Sequence, residues 1–317
     1  MIVTVTPNPS VDRTIAVDRL LEGEVNRATA TRLDPGGKGI NVSRAVVANG
    51  GATVAVLPVG GVHGRMMTQL LDGTGVVVEA VPIAQSIRAN IAVVEPDGTT
   101  TKINEPGPNL TTTEVTTFLD TVREVVKASP GAWIVGCGSL PGGVAGDFYA
   151  DLVRLGHEVG ARVAIDTSGA PLPPAIPAGP DLIKPNRAEL GELVGADLRT
   201  VGEVVDAARD LIAGGIAQVL VSLGRDGALL VSADTVLLAA ASVDRPLSTV
   251  GAGDCTLGGY LLALDRGASP QQALVQAVAF GSAAVGLPGT EVPSPAHVAS
   301  IEVRVDTDPE RPAPLID

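Results

Sequence analysis

Short, nearly continuous apolar runs alternate along this chain with longer stretches whose apolar residues recur at helical spacing. The short runs predict strands over residues 2–6, 53–59, 133–137, 162–166, 182–184, 218–222 and 228–232. The longer pattern predicts helices over 40–49, 64–72, 113–128, 146–159, 187–194, 201–213, 256–266 and 270–285. Several helix ends are chemically marked. Thr111, Thr112 and Thr113 precede Glu114 as a capping run, Ser269 is a cap followed by Pro270, and Gly267 follows the end of the helix before it. A strand-then-helix rhythm predicts an α/β domain with a mainly parallel sheet and helices on both faces.

Two stretches break the rhythm. Residues 12–34 read as a strand over 13–17, a turn at 21–24 and a second strand over 25–33. Residues 87–104 read as two strands around Pro96–Asp97–Gly98, a hairpin signature. Neither has a helix beside it. Together they predict a small antiparallel β lid standing off the main domain, with ordinary edge strands as the alternative. The chain is then one domain, 1–317, and its Pro- and Asp-rich end, 306–317, is expected to be loose.

Composition narrows the chemistry. Aromatics are 2% of the 317 residues, so Ala, Val, Leu and Ile must build the core. The formal charge of −13, without any basic run, excludes a nucleic-acid partner but leaves room for a small phosphorylated ligand. Cys137 and Cys255 lie far apart and form neither a metal spacing nor a disulfide framework. The first residues read as a strand rather than a leader, and no apolar stretch is long enough for a membrane span. A cytoplasmic protein with no membrane partner is expected.

Glycine-rich loops at helix starts carry the candidate chemistry. In Ser248–Thr249–Val250–Gly251–Ala252–Gly253–Asp254, small residues let backbone amides converge on an anion at a helix N-terminus. Asp254 beside that nest can accept the proton of an attacking hydroxyl; the alternative is a turn with Asp254 as a helix cap. In Asp34–Pro35–Gly36–Gly37–Lys38–Gly39–Ile40–Asn41, Gly37 allows close backbone approach, Lys38 can meet an anion and Asn41 can meet hydroxyls. The spacing is not that of a P-loop, and no G-x-G-x-x-G follows the first strand. Asn186 and Glu189 can orient a hydrated Mg²⁺ or simply cap a helix. Asp12 can accept from vicinal hydroxyls, and Ser139 can bond a sugar hydroxyl. Arg27, Arg88 and Asn90 lie on the expected lid, where they can close over an anionic end.

In this order the motifs resemble the ribokinase-type carbohydrate kinases, in their phosphofructokinase-B branch. The resemblance runs from Thr6–Pro7–Asn8–Pro9 to near Val285. It is carried by Pro35–Gly36–Gly37–Lys38–Gly39–Ile40–Asn41–Val42 and by Ser248 to Asp254. Gly138–Ser139–Leu140–Pro141–Gly142–Gly143, Lys184–Pro185–Asn186–Arg187 and Ser222–Leu223–Gly224–Arg225–Asp226–Gly227 fall between them. It implies a Rossmann-like domain with a β lid and ATP-dependent phosphorylation of a sugar. Asp254 is then the base, and Gly251, Ala252 and Gly253 the anion hole. Lys184, Asn186, Ser222, Gly224 and Gly227 line the ATP site, with Mg²⁺ near Asn186 and Glu189. Asp12, Arg27, Gly37, Lys38, Asn41, Arg88, Asn90 and Ser139 hold a sugar phosphate. A monovalent cation, K⁺, takes groups from Ser248 and Val250, and a homodimer forms through the lid. Cys255 stands where many relatives have Ser or Ala, and Glu24 leaves the phosphate contact of its lid strand open.

Within the branch, Lys38, the segment Val25–Asn26–Arg27 and the run from Lys102 to Pro108 look most like kinases of fructose 1-phosphate. Kinases of tagatose 6-phosphate and fructose 6-phosphate are the alternatives. A non-catalytic sugar-phosphate sensor is the alternative of another class, and it would have no need of Asp254.

Overall fold

The protein is described by a computed structural model covering residues 1–316. The chain begins with β1 (Ile2–Val5), β2 (Ser10–Ala16), β3 (Ala30–Gly36), α1 (Lys38–Ala48), β4 (Thr53–Val59), α2 (Gly61–Leu71) and β5 (Val77–Pro82). It continues with β6 (Arg88–Val94), β7 (Thr100–Asn104), α3 (Thr112–Lys127), β8 (Trp133–Cys137), α4 (Phe148–Glu158), β9 (Arg162–Asp166) and α5 (Leu172–Ala175). Then come β10 (Leu182–Ile183), α6 (Arg187–Val194), α7 (Val201–Ala213), β11 (Gln218–Ser222), β12 (Ala228–Ser232) and β13 (Val236–Ala241). The last elements are α8 (Ala252–Asp265), α9 (Pro270–Val285), α10 (Pro295–Ala299) and β14 (Val303–Asp306).

Ten strands form one sheet in the order β14-β13-β12-β11-β10-β9-β8-β1-β4-β5. From β5 to β11 every pairing is parallel, while β12, β13 and β14 add antiparallel pairings at one edge. Alternate residues of each strand serve opposite faces, because successive side chains point to opposite sides. Along β8, Ile134 packs with the α3, α4, α6 and α7 side, whereas Trp133 and Val135 pack with the α1, α8 and α9 side. The few aromatics are concentrated. Phe118 of α3 stacks on Phe148 of α4 at 6.0 Å between ring centroids, and Tyr149 meets Phe148 edge-on at 5.5 Å.

The lid is a separate four-stranded sheet ordered β3-β2-β6-β7. Both expected antiparallel pairs are present, β2 with β3 and β6 with β7. The turn at Pro96–Asp97–Gly98 closes with Gly98 N donating to Glu95 O at 3.0 Å. The seam between the two hairpins, β2 with β6, is parallel, which the local pattern did not show. The expected strand over 25–33 begins only at Ala30 and runs on to Gly36, so Val25 to Thr29 lie in a loop.

β5, α5, β13, α10 and β14 were not anticipated. β5 is half-exposed at the sheet edge and β14 alternates apolar with charged residues, so neither presents a buried apolar run, while β13, an unbroken apolar run, was overlooked. The end of the chain is not loose up to Ile316. Leu315 N donates to Arg199 O at 2.8 Å, Ile316 N donates to Asp226 Oδ2 at 2.7 Å, and Arg311 pairs with Asp206 at 2.6 Å. Asp317 lies outside the described residues. No helix among the described residues is long and apolar enough to cross a membrane.

Phe118 is 1% exposed and faces an aromatic partner. Phe118→Ala is expected to lower the unfolding free energy by about 3–5 kcal/mol. Denaturant unfolding checks this; a loss below about 1 kcal/mol would mean that the ring cluster is not a cohesive part of the core.

Candidate active site

β9, β10, α1 and α8 bring their functional residues together from distant parts of the chain. α8 begins at Ala252 with Gly251 as its cap, held at φ 79°, a conformation that glycine adopts without a Cβ penalty. The cap makes no side-chain hydrogen bond, and Asp254 sits inside the first helical turn. The helix-cap reading of Asp254 therefore fails. Its carboxylate is instead held by Asn41, whose Nδ2 donates to Oδ2 at 2.8 Å. Arg44 Nη1 donates to Asn41 Oδ1 at 3.4 Å and to Thr290 O at 3.2 Å, which turns the amide nitrogen of Asn41 toward Asp254.

Backbone amides stand open beside this carboxylate. Ala252 N donates to Thr249 O at 3.3 Å, but Gly251, Gly253 and Asp254 give their amides to no acceptor among the described residues. Of the residues expected to form the anion hole, Gly251 and Gly253 keep open amides, as does Asp254, while the amide of Ala252 is committed to Thr249 O. Lys184 reaches the same place: a Cβ at Gly253 would lie 3.2 Å from Lys184 Nζ. Its ammonium thus belongs with the nest, rather than only lining a nucleotide site.

Four charged groups share the centre. Lys38 Nζ lies 2.8 Å from Asp166 Oδ1, and Lys184 Nζ lies 3.3 Å from Oδ2. The second contact is an ion pair not aimed as a hydrogen bond, so Oδ2 keeps a lone pair uncommitted. Asp166 and Lys184 are almost wholly buried, while the side chain of Lys38 is 34% exposed. Burial opposes the charge on Asp166, but Lys184 and then Lys38 outweigh it and hold the carboxyl below the usual range. Lys38 is held charged in turn: burial disfavours its ammonium, and Asp166 more than offsets this. Asp254 behaves oppositely. Burial first, and the Asp166 charge second, push it up to about 7 against the hydrogen bond from Asn41. A carboxylate so placed is poised to take a proton near neutral pH.

A second cluster occupies the lid side. Asp12 Oδ1 accepts from Ser10 Oγ at 2.6 Å and from Asn90 Nδ2 at 3.0 Å. The register places Asn90 directly opposite Asp12 across the parallel seam, and Arg88 opposite Ser10. Burial raises the Asp12 carboxyl above its ordinary range. Arg88 donates from Nη1 to Glu105 O at 3.1 Å and leaves a buried Nε without a partner. It stands in the wall of an open pocket of about 470 Å³ that also takes in His63, Ser86 and Glu105. Asn8 Nδ2 donates to Ser139 Oγ at 3.2 Å and to Pro106 O at 3.1 Å, bridging two loops. Gly36, Gly37 and Lys38 join this cluster to the charged centre. A Cβ at Gly36 would lie 2.3 Å from the Asp12 carboxyl, so only glycine leaves room for it.

The other candidates are placed differently. Asn186 and Glu189 form a reciprocal capping box: Asn186 Oδ1 accepts from Glu189 N at 2.8 Å, and Glu189 Oε2 accepts from Asn186 N at 2.9 Å. The capping alternative is thus realised, and Glu189 Oε1 is the carboxylate oxygen left over. Asn186 pairs with Ser222, and Ser222 N donates to Pro185 O at 3.1 Å, which sets the two expected nucleotide loops side by side. Gly224 and Gly227 bracket the short turn between β11 and β12. Ser248 Oγ donates to Gly289 O at 3.0 Å and accepts from Val250 N at 3.2 Å. Arg27 is exposed in the loop between β2 and β3 and makes no polar contact among the described residues. Asp166 and Arg44 were missed by the sequence reading. Asp166 ends a parallel strand, the end at which ligands bind in such sheets; Arg44 had no such signal.

The family model for pfkB family carbohydrate kinases matches residues 5–297. A 1-phosphofructokinase of Rhodobacter capsulatus is 37% identical over 303 residues, spanning 95% of this chain and 95% of that protein. An ATP-dependent 6-phosphofructokinase isozyme 2 of Mycobacterium tuberculosis is 38% identical over 293 residues, 91% of this chain and 85% of that protein. Among solved structures, the phosphofructokinase-2 of Escherichia coli in complex with potassium superposes with a TM-score of 0.89 at 34% identity. It covers 94% of this chain and 96% of that one.

Gly36→Ala drives a methyl group into the Asp12 carboxyl. The variant is expected to stay folded and to bind its sugar ligand about tenfold more weakly, the loss of one charge-assisted hydrogen bond. Titration calorimetry reads the change, and unchanged affinity would remove Asp12 from the ligand site.

Proposed function

The chain belongs to the pfkB family of carbohydrate kinases, which transfer a phosphoryl group to a sugar hydroxyl, and we propose that its substrate is fructose 1-phosphate. ATP then phosphorylates the 6-hydroxyl, giving fructose 1,6-bisphosphate and ADP. The observation that carries this reading is Asp254, held by Asn41 beside open amides and between two lysines. The near full-length likeness to a 1-phosphofructokinase supports the ketose. Arg88, with its unpaired Nε in the pocket wall, supports an anionic end on it.

Asp12 and Asn90 hold sugar hydroxyls, with Ser139 on the facing loop. Lys38 and Arg88 offset the charge of the sugar's own phosphate, and Arg27 is assigned to the same phosphate from the lid. Asp254 accepts the proton as the hydroxyl oxygen attacks the γ-phosphorus; the new P–O bond forms and the bond to the ADP oxygen breaks. The amides of Gly251, Gly253 and Asp254, with Lys184, stabilise charge on the transferring group. Asn186, Ser222, Gly224 and Gly227 are assigned to the nucleotide.

A divalent cation, when bound, neutralises phosphate oxygens, and Asn186 with Glu189 Oε1 would hold it. Glu189 Oε1, the oxygen its capping box leaves over, and the side chain of Asn186 offer few oxygen ligands, which suits a Mg²⁺ that retains most of its waters. Ser248 and Val250 carbonyl oxygens accept no hydrogen bond among the described residues, which suits a K⁺ ion there. Two buried free cysteines and the use of ATP fit the cytoplasm.

We also propose a homodimer formed through the lid. Leu20, Leu21, Val25, Leu33 and Ile103 are exposed there, Val25 at 79%, and the edge strand β7 is exposed along its length. An unpaired edge carrying apolar residues calls for a cover. Sedimentation is expected to give twice the chain mass, with Val25→Asp plus Ile103→Asp shifting it to monomer. A wild-type monomer at micromolar concentration would reject the dimer.

ATP consumption compared across fructose 1-phosphate, fructose 6-phosphate and tagatose 6-phosphate tests the substrate. The highest kcat/KM is expected for fructose 1-phosphate, and a higher value for either other sugar overturns that choice. Asp254→Asn is expected to lower kcat by about 10²- to 10⁴-fold while sugar-phosphate binding persists. The base works deprotonated, so kcat/KM should fall as pH drops below about 7. Unimpaired turnover by the Asn variant would exclude Asp254 as the base.

A further inference from the structure

We infer that Asp166 is a positioning residue for phosphoryl transfer: one buried carboxylate holds the Lys38 ammonium toward the sugar and the Lys184 ammonium toward the anion nest, and its charge acts on Asp254. The inference rests on the assignment of Asp254 as base. Lys38 is the first residue of α1, three positions before the Asn41 that binds Asp254 and two after the Gly36 that makes room for Asp12. Lys184 follows β10 and lies against Gly253. Asp166, at the end of β9, is the atom group that both lysines share, with Lys38 at 2.8 Å on Oδ1 and Lys184 at 3.3 Å on Oδ2.

A purely structural ion pair is a weak account of this arrangement. Taking charges out of water costs about as much as their attraction returns, and apolar replacements are often neutral or better. Here three charges are brought into the interior at the carboxyl end of the parallel strands, where a ligand binds. Lys184 Nζ stays at 3.3 Å from Oδ2 and lies against Gly253, where its remaining N–H groups can meet a second anion.

Asn41 of α1 donates to Asp254, with Arg44 of the same helix behind it on Asn41 Oδ1; the charges of Asp166 from β9, Lys38 from α1 and Lys184 beyond β10 act on the carboxyl, and Cys137 and Cys255 are the thiols its charge reaches. Burial pushes both thiols up, so they stay neutral. Asp166 is therefore the negative charge that acts on Asp254, opposed by Lys38 and Lys184. Replacing it with a neutral side chain removes repulsion and frees both lysines to act on Asp254. Both effects lower the pH at which Asp254 loses its proton.

Asp166→Asn tests this in the full-length enzyme. The acid limb of kcat/KM for fructose 1-phosphate is expected to move down by about one pH unit, with kcat reduced tenfold or more by loss of alignment. Asp166→Asn combined with Lys184→Met restores the local charge balance and should return the limb most of the way. A folded Asp166→Asn with the limb at its wild-type position overturns the inference. If that variant does not fold, Asp166→Glu decides: the charge is kept, so the limb should stay while kcat drops tenfold or more, and wild-type kcat would overturn the inference. Failure of the base assignment shows separately, as turnover surviving Asp254→Asn.

Discussion

Two carboxylates and two ammonium groups are gathered where β9 and β10 end and α1 and α8 begin, and Asp166, Lys184 and Asp254 are buried there. None could remain there ionised alone, since removing one partner of a buried pair costs about 3–5 kcal/mol. Asp166 meets this constraint for both lysines, and so fixes how β9, β10 and the start of α1 approach one another. The first turn of α8 completes the ring with a carboxylate that is only half committed to its charge. The tight loops around the site follow from that convergence, because four backbone segments must reach one small volume. The same charges serve chemistry, as the interior that makes them costly to hold also makes their fields strong.

Features encoded locally were legible in the sequence. The cap at Asn186 and Glu189 is a contact across three residues, and the hairpin around Pro96–Asp97–Gly98 is closed by its own turn. The main helices and the buried strands announced themselves by period. Contacts between remote segments were not legible. Asn41 and Asp254 are 213 positions apart, and only their meeting distinguishes a base from a helix cap. Asp166 read as the last residue of an apolar strand, because its partners come from other elements. The parallel seam of the lid was hidden for the same reason. β5 and β14 escaped because an edge strand need not look buried.

The stretch from Gly36 to Asn41 links the two halves of the site more closely than any other part of the chain. Gly36 gives way to Asp12, Lys38 reaches Asp166, and Asn41 holds Asp254. Six consecutive residues thus set the spacing between the Asp12 cluster and the charged centre. They form a short segment whose first part is strand and whose last part is helix. Loops that moved independently would not preserve such a distance.

The parallel seam of the lid has a consequence for how the chain acquires its structure. Asp12 and Asn90 meet across 78 positions of sequence, and everything between them belongs largely to the main sheet and its helices. Neither hairpin alone can bury the lid's apolar residues, and a lone two-stranded hairpin is marginal in water. The seam therefore has to wait for β1, α1, β4, α2 and β5 to assemble, since loop closure over that span is costly until they do. Until the seam closes, the edges of β2 and β6 stand open in addition to Leu20, Leu21, Val25 and Ile103, which stay exposed in the folded chain as well. Crowded synthesis at high temperature would expose that interval as aggregation, even when the finished enzyme is stable.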